Sequence, residues 1–139
     1  MELIANALQT VGAGENVQFT DEVVSGCNSI LHRAGSGLIT LRGITNQCRA
    51  RFKVFFSGNI AIPADGTVEA ISIAISVNGE AIASTTMIQT PAAVEEFANV
   101  ASAAYIDVPA GCCISVAARN TSTQDIDVQN ANLIIERVA

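Results

Sequence analysis

The residues able to act as nucleophiles or soft metal ligands are few: Cys27, Cys48, Cys112, Cys113 and His32. No two of the cysteines have the Cys-x-x-Cys spacing that offers paired thiolates to one metal ion, and the adjacent Cys112 and Cys113 would point to opposite faces of a strand. Buried, reduced structural thiols are therefore the expectation, with no metal and no cofactor. A chain of 139 residues can build a core that needs no disulfide framework. A Cys–His nucleophile would need Cys27 or Cys48 beside His32, with an orienting acid such as Asp21. No local motif joins them.

The carboxylates point the same way. Asp21-Glu22 and Glu95-Glu96 are neighbours in sequence, so on a strand their side chains diverge and make poor acid–base dyads. Asp125 and Asp127 would share a face and could help hold calcium, but a full site takes six or more oxygens. A solvated loop is the better expectation. Arg49, Arg51 and Lys53 form the one basic stripe, which could meet an anion or an acidic glycan. With a net charge of −6 it is better read as a strand face paired with acids such as Asp107 and Glu136. Asn120-Thr121-Ser122 matches a glycosylation sequon, of consequence only on a eukaryotic secretory route. No catalytic residue is expected, and the chain reads as a non-enzyme.

Composition limits the partners. Half of the residues are hydrophobic, only 14% are charged, and there is no Trp. A monomer with so little charge has a weakly defended surface, so part of it is expected to be covered by other chains. The negative charge argues against a nucleic-acid partner, whose affinity comes from neutralised phosphates. Met1–Thr10 lacks the basic start and apolar core of a secretory signal, and no apolar run nears the ~20 residues that span a bilayer. One domain, 1–139, is the simplest organisation.

What would position these residues is β-structure. Ile71, Ile73, Ile75 and Val77 alternate with Ser72, Ala74 and Ser76, and Asn78-Gly79 offers the two positive-φ positions of a tight hairpin turn. Closing that turn sets Val77 opposite Glu80, Ile75 opposite Ile82 and Ile73 opposite Ser84. A second hairpin is expected over Ile30–Leu41, broken at Gly35-Ser36-Gly37, and a short strand within Val17–Val24. A long strand follows over Cys48–Ile62. Cys113–Ala118 and Ile126–Val138 read as further strands. Over Thr90–Val108 the local signals divide. Thr90-Pro91 and Glu95-Glu96 resemble a helix start, while Val100, Ile106 and Val108 are β-formers at even spacing. Extended structure from about Ala98 onward is the expectation, because the chain must be carried into the Pro109-Ala110-Gly111 turn. Eight or more short strands suggest a sandwich or jelly roll.

The order of these features resembles the globular domain of the C1q/tumour-necrosis-factor superfamily, including its bacterial and phage members. Phe52–Phe56 resembles the family's aromatic-x-aromatic strand, and Ile71–Gly79 its strand ending in Asn-Gly. Tyr105–Val116 resembles its hinged strand pair, with Cys112 where the family carries Asp, and Ala131–Val138 its final strand. The resemblance implies an all-β, antiparallel ten-stranded jelly-roll sandwich that forms a tight homotrimer. It also implies service as a decoration on a phage virion or bacterial surface assembly, with capsid or surface-assembly proteins as partners.

Alternation fails at Phe55-Phe56, Tyr105-Ile106 and Leu133-Ile134-Ile135, as it does where a strand is covered on both faces. In the implied fold these strands lie in the sheet facing the trimer axis, so these seven residues are the interface candidates. The Asn78-Gly79 hairpin falls in the other sheet, where its Ser/Ala/Thr face is expected to meet water. The alternative is a glycan- or host-protein-recognition module of the same fold. The absence of Trp and the single Tyr favour the structural role.

Overall fold

The computed structural model describes all residues, Met1–Ala139. In chain order the strands are β1 (Glu2–Ala5), β2 (Gln9–Val11), β3 (Asp21–Val24), β4 (Ile30–His32), β5 (Ile39–Arg42), β6 (Arg49–Ala61), β7 (Ile71–Val77), β8 (Glu80–Ala81), β9 (Met87–Gln89), β10 (Ala98–Pro109), β11 (Cys113–Asn120) and β12 (Ile126–Arg137). They form two antiparallel six-stranded sheets. The first runs β10-β6-β12-β1-β3 with β2 also on β12; the second runs β4-β5-β11-β7-β8 with β9 also on β7.

Two of these strands are interrupted rather than separate. β1 and β2 pair with β12 on either side of its irregularity between Gln129 and Asn132, where Asn130 takes a positive φ of 55°. β8 and β9 both pair with β7 across a 3-10 turn at Ala83–Thr85. Counting each interrupted strand once gives the ten strands of the jelly roll.

That 3-10 turn corrects the register expected for the hairpin. Val77 does pair with Glu80, and Ile82 N–H donates to the Ile75 carbonyl, but Ile73 pairs with Met87 rather than Ser84. The buried Thr85 holds the break closed. Its Oγ1 accepts the Ile75 N–H at 3.0 Å and donates to the Ile82 carbonyl at 2.7 Å. Without it a buried backbone donor would lack a partner.

The Thr90–Val108 stretch resolves as extended from Ala98, and its helix-like start is turn and bend, with Glu95 at a φ of +58°. Of Val17–Val24 only Asp21–Val24 is a strand. The rest crosses between sheets: Val17 N–H bonds Ala118 O in one, and Thr20 N–H bonds Ile4 O in the other. Val17 and Phe19 consequently become core.

The core is one cluster of 28 buried apolar residues between the two sheets. Phe19, Phe52, Phe56, Ile73, Ile75 and Leu133 are among its fully buried members, each on the inward phase of its segment. No helix is long and apolar enough to cross a membrane.

Candidate functional site

None of the potential nucleophiles is brought to a partner. His32 closes β4, and its Nε2 donates to the Ser36 carbonyl at 2.9 Å, so the ring is taken up by its own hairpin. Cys27 precedes the same strand and Cys48 lies on the loop into β6. The expectation of buried thiols is overturned: all four cysteines are free and exposed, because each falls on a connection or at a strand end beyond the core. No group of three or more His, Cys, Asp or Glu side chains comes together to hold a metal ion. Asp127 is engaged instead by Thr10, whose Oγ1 donates to its Oδ1 at 2.9 Å. The sequon is closed as well. Asn120 is fully buried, and its Nδ2 donates to Val11 O and Gln124 O, leaving no accessible amide for a sugar.

The seven interface candidates split by the pleat. Phe56, Ile106, Leu133 and Ile135 turn into the sandwich, at most 6% exposed, and are unavailable to a partner. Phe55, Tyr105 and Ile134 turn outward; Tyr105 is 68% and Ile134 38% exposed. Each apolar run therefore lends some residues to the core and one to the opposite face, as period-two geometry requires.

On that outer face the registers set rows across the sheet. Ala103, Phe55, Ile134, Glu2 and Val24 lie side by side, with Ala101, Ser57, Asn132 and Ile4 in the next row. The alanines, Ile4 and Val24 went unremarked in the sequence as members of this face. The odd spacing of Ala101, Ala103 and Tyr105 carries the signal.

Flanking the apolar rows on one side are charges. Arg51 and Asp107 are cross-strand partners, with Arg51 Nε 2.8 Å from Asp107 Oδ1 and Nη2 3.1 Å from Oδ2. Arg49 Nε adds a contact at 3.1 Å. The hydrogen bond from Arg51 holds the Asp107 carboxyl below its ordinary range, against the opposing cost of desolvation, and Asp107 raises Arg51 in turn. Lys53 stands opposite Glu136 in register without closing an ion pair. On the other side lie amides: Asn99 Nδ2 donates to Asn59 Oδ1, and Asn59 Nδ2 to Asn130 Oδ1.

The outer face of the second sheet meets the expectation only in part: Ala81 and Ala83 are exposed, but Ala74, Ser76 and Thr85 are buried, as is Ala117 opposite Ser76. Arg119 stands opposite Ala74, and its guanidinium donates to the Gly79 carbonyl at the hairpin tip. Its guanidinium also comes within 3.5 Å of where a Cβ on Gly14 would stand.

No family model and no curated protein matches the sequence. Solved structures do. The globular domain of a zebrafish complement 1qA protein superposes with a TM-score of 0.62 at 10% identity, over 96% of this chain and 93% of that one. The Eiger TNF from S. frugiperda superposes at 0.69 and 14% identity, over 100% of this chain and 92% of that one. The fold is a C1q/TNF-like jelly roll. Identities this low speak to fold alone. Within this C1q/TNF-like frame the stripe of Phe55, Tyr105 and Ile134 is the largest unexplained feature of the first sheet.

Proposed function

We propose that this chain is a non-enzymatic structural module that works as a homotrimer, joined through the outer face of the β10-β6-β12-β1-β3 sheet. The observation that carries the reading is the open apolar stripe. Phe55, Ile134 and Tyr105 lie on neighbouring strands of a protein with few charges, with Val24 continuing the apolar row on β3. Contiguous exposed apolar surface marks interaction sites. Each partner in a stable interface hides ~800 Å², a modest share of the 6748 Å² this chain exposes. The ends of the same face carry the Arg51–Asp107 pair and the Asn59–Asn99 amides, a polar margin around an apolar centre.

Light scattering on the purified chain at micromolar concentration tests this. A mass of three chains is expected, and the mass of one chain would overturn it. The sequence resemblance to bacterial and phage members supports placing the trimer on a virion or bacterial surface, beside capsid or surface-assembly proteins. Capsid or tail genes flanking its own gene are the expected finding. The row of Asn99, Asn59 and Asn130 gives the recognition alternative its one foothold, since amides hydrogen-bond sugar hydroxyls. Saturable signal on a glycan array would favour that reading over the purely structural one.

A further inference from the structure

Cysteine is among the residue types most often buried, yet all four here are exposed and unpaired. They also share one end of the sandwich. Cys27 lies on the β3–β4 connection, Cys48 precedes β6, and Cys112 and Cys113 follow the Pro109 hinge. The end is the same because Pro109 pairs with Arg49, Cys113 with Arg42 and Ile30 with Leu41. Backbone hydrogen bonds lace these segments together: Gly43 N–H to Cys112 O, Gly111 N–H to Gly43 O, and Ala110 N–H to Cys48 O. A Cβ on Gly43 would run into the Pro109 carbonyl oxygen, so the two connections are in close contact and the thiols ride on a fixed platform. The opposite end holds no thiol and carries Glu15, Asp65, Glu69, Glu95, Glu96 and Asp125 against Arg33 and Arg119. The thiol end carries Arg42, Arg49, Arg51 and Arg137, and stays basic even with Asp107 set against two of them.

We infer that this end is a disulfide-forming pole, where Cys48, Cys112 and Cys113 of one copy are joined to those of its neighbours within the trimer. The inference rests on the trimer reading. Cyclic symmetry turns the same end of every copy the same way, so the three poles gather side by side. Cys48 leads into β6 and Cys112 follows β10 across the Ala110-Gly111 turn. Those strands carry Phe55 and Tyr105 on the proposed interface, while Cys113 opens β11 beside them. Joining two assemblies end to end at these poles would set arginine against arginine, and the acidic end offers no sulfur. A low-molecular-weight disulfide is the oxidant. A thiolate of one copy attacks it, forming a mixed disulfide and releasing one small thiol. A thiolate of the neighbouring copy then attacks the protein sulfur and releases the second. Two cysteine thiols become one disulfide, one small disulfide becomes two thiols, and the cysteine protons pass to the departing thiolates.

The test uses the full chain, reduced, freed of reductant and incubated with oxidised glutathione. It is read on a denaturing non-reducing gel and by intact mass, with light scattering of the reduced sample alongside. The expected result is a shift from one-chain to two- and three-chain masses, reversed by dithiothreitol. The shift disappears in the Cys48→Ser/Cys112→Ser/Cys113→Ser variant, whose light-scattering mass stays at three chains. Glutathione adducts or a two-hydrogen loss confined to single chains, in a protein that is trimeric when reduced, would overturn the pole and leave the trimer standing. Cross-links that persist in the triple variant, or that exceed three chains, would overturn it too. A reduced sample at the mass of one chain would remove the trimer reading, and the pole with it.

Discussion

The outer faces of the two sheets start from the same alternation of side chains and end unlike each other. On the β7 sheet the outward residues Ala74, Ser76 and Ala117 are small and buried, with the exposed Leu31 and Ile88 toward the sheet's margins. On the β6 sheet the outward residues are large: Tyr105 and Ile134 are exposed and Phe55 between them is half-buried. In the proposed trimer the latter face is the one that assembly covers. The difference is one of side-chain size at the centre of each sheet, and the larger side chains are the ones the proposed trimer would cover.

The largest effects should separate inside from outside on the β6 sheet. Phe56→Ala opens a cavity in a fully buried site and should cost about 3–5 kcal/mol in denaturant melts. The neighbouring Phe55→Ala should cost much less in the isolated fold and act instead on assembly. Ile134→Asp places a charge at the centre of the apolar rows. It should drop the light-scattering mass from three chains to one while circular dichroism remains that of a β-protein. The matching change Thr40→Asp, on the outward phase of the second sheet, should leave the mass unchanged.

Next comes the device that keeps the second sheet closed. Thr85→Val removes the hydroxyl that accepts the Ile75 N–H and leaves that buried donor unpaired, for about 1–3 kcal/mol of destabilisation in a urea titration. A melt indistinguishable from wild type would show that the β8–β9 interruption is closed by other contacts.

The smallest effect belongs to the charged margin. The Asp107 carboxyl is held below its ordinary value, so its contribution is present above the unfolded-state pKa and is lost as pH falls through the folded-state value. Because Asp107 and its arginines are solvent-exposed, the Tm of Asp107→Asn at neutral pH should lie close to wild type. Any gap should close on acidification. A gap that widens in acid would mean that Asp107 does something other than pair with Arg51.

How much of this was legible before the structure depends on how local the cause is. The hairpin turn at Asn78-Gly79 was readable because positive φ at two consecutive positions is a property of those residues: Asn78 sits at 51° and Gly79 at 85°. The failed alternations at Phe55-Phe56 and Leu133-Ile134-Ile135 were readable as strands apolar on both sides. Which member faces which way is carried by the flanking alternation, Phe56 being in phase with Phe52 and Val54 and Phe55 with Arg51 and Lys53.

By itself, then, the sequence determined the strands, most of the turns and the existence of a doubly apolar sheet. Period, turn chemistry and β-branching act over a few residues. Only the tertiary structure decided that Ala74 and Ser76 are buried, that Arg119 reaches the Gly79 carbonyl, and that Asn120 is sealed beneath Val11 O. It alone gathered Cys27, Cys48, Cys112 and Cys113 at one end. Those outcomes depend on which strands become neighbours, and in a jelly roll the neighbours are distant in the chain: β12 lies between β1 and β6, and β11 between β5 and β7. Non-local pairing leaves no trace in the local pattern of either partner.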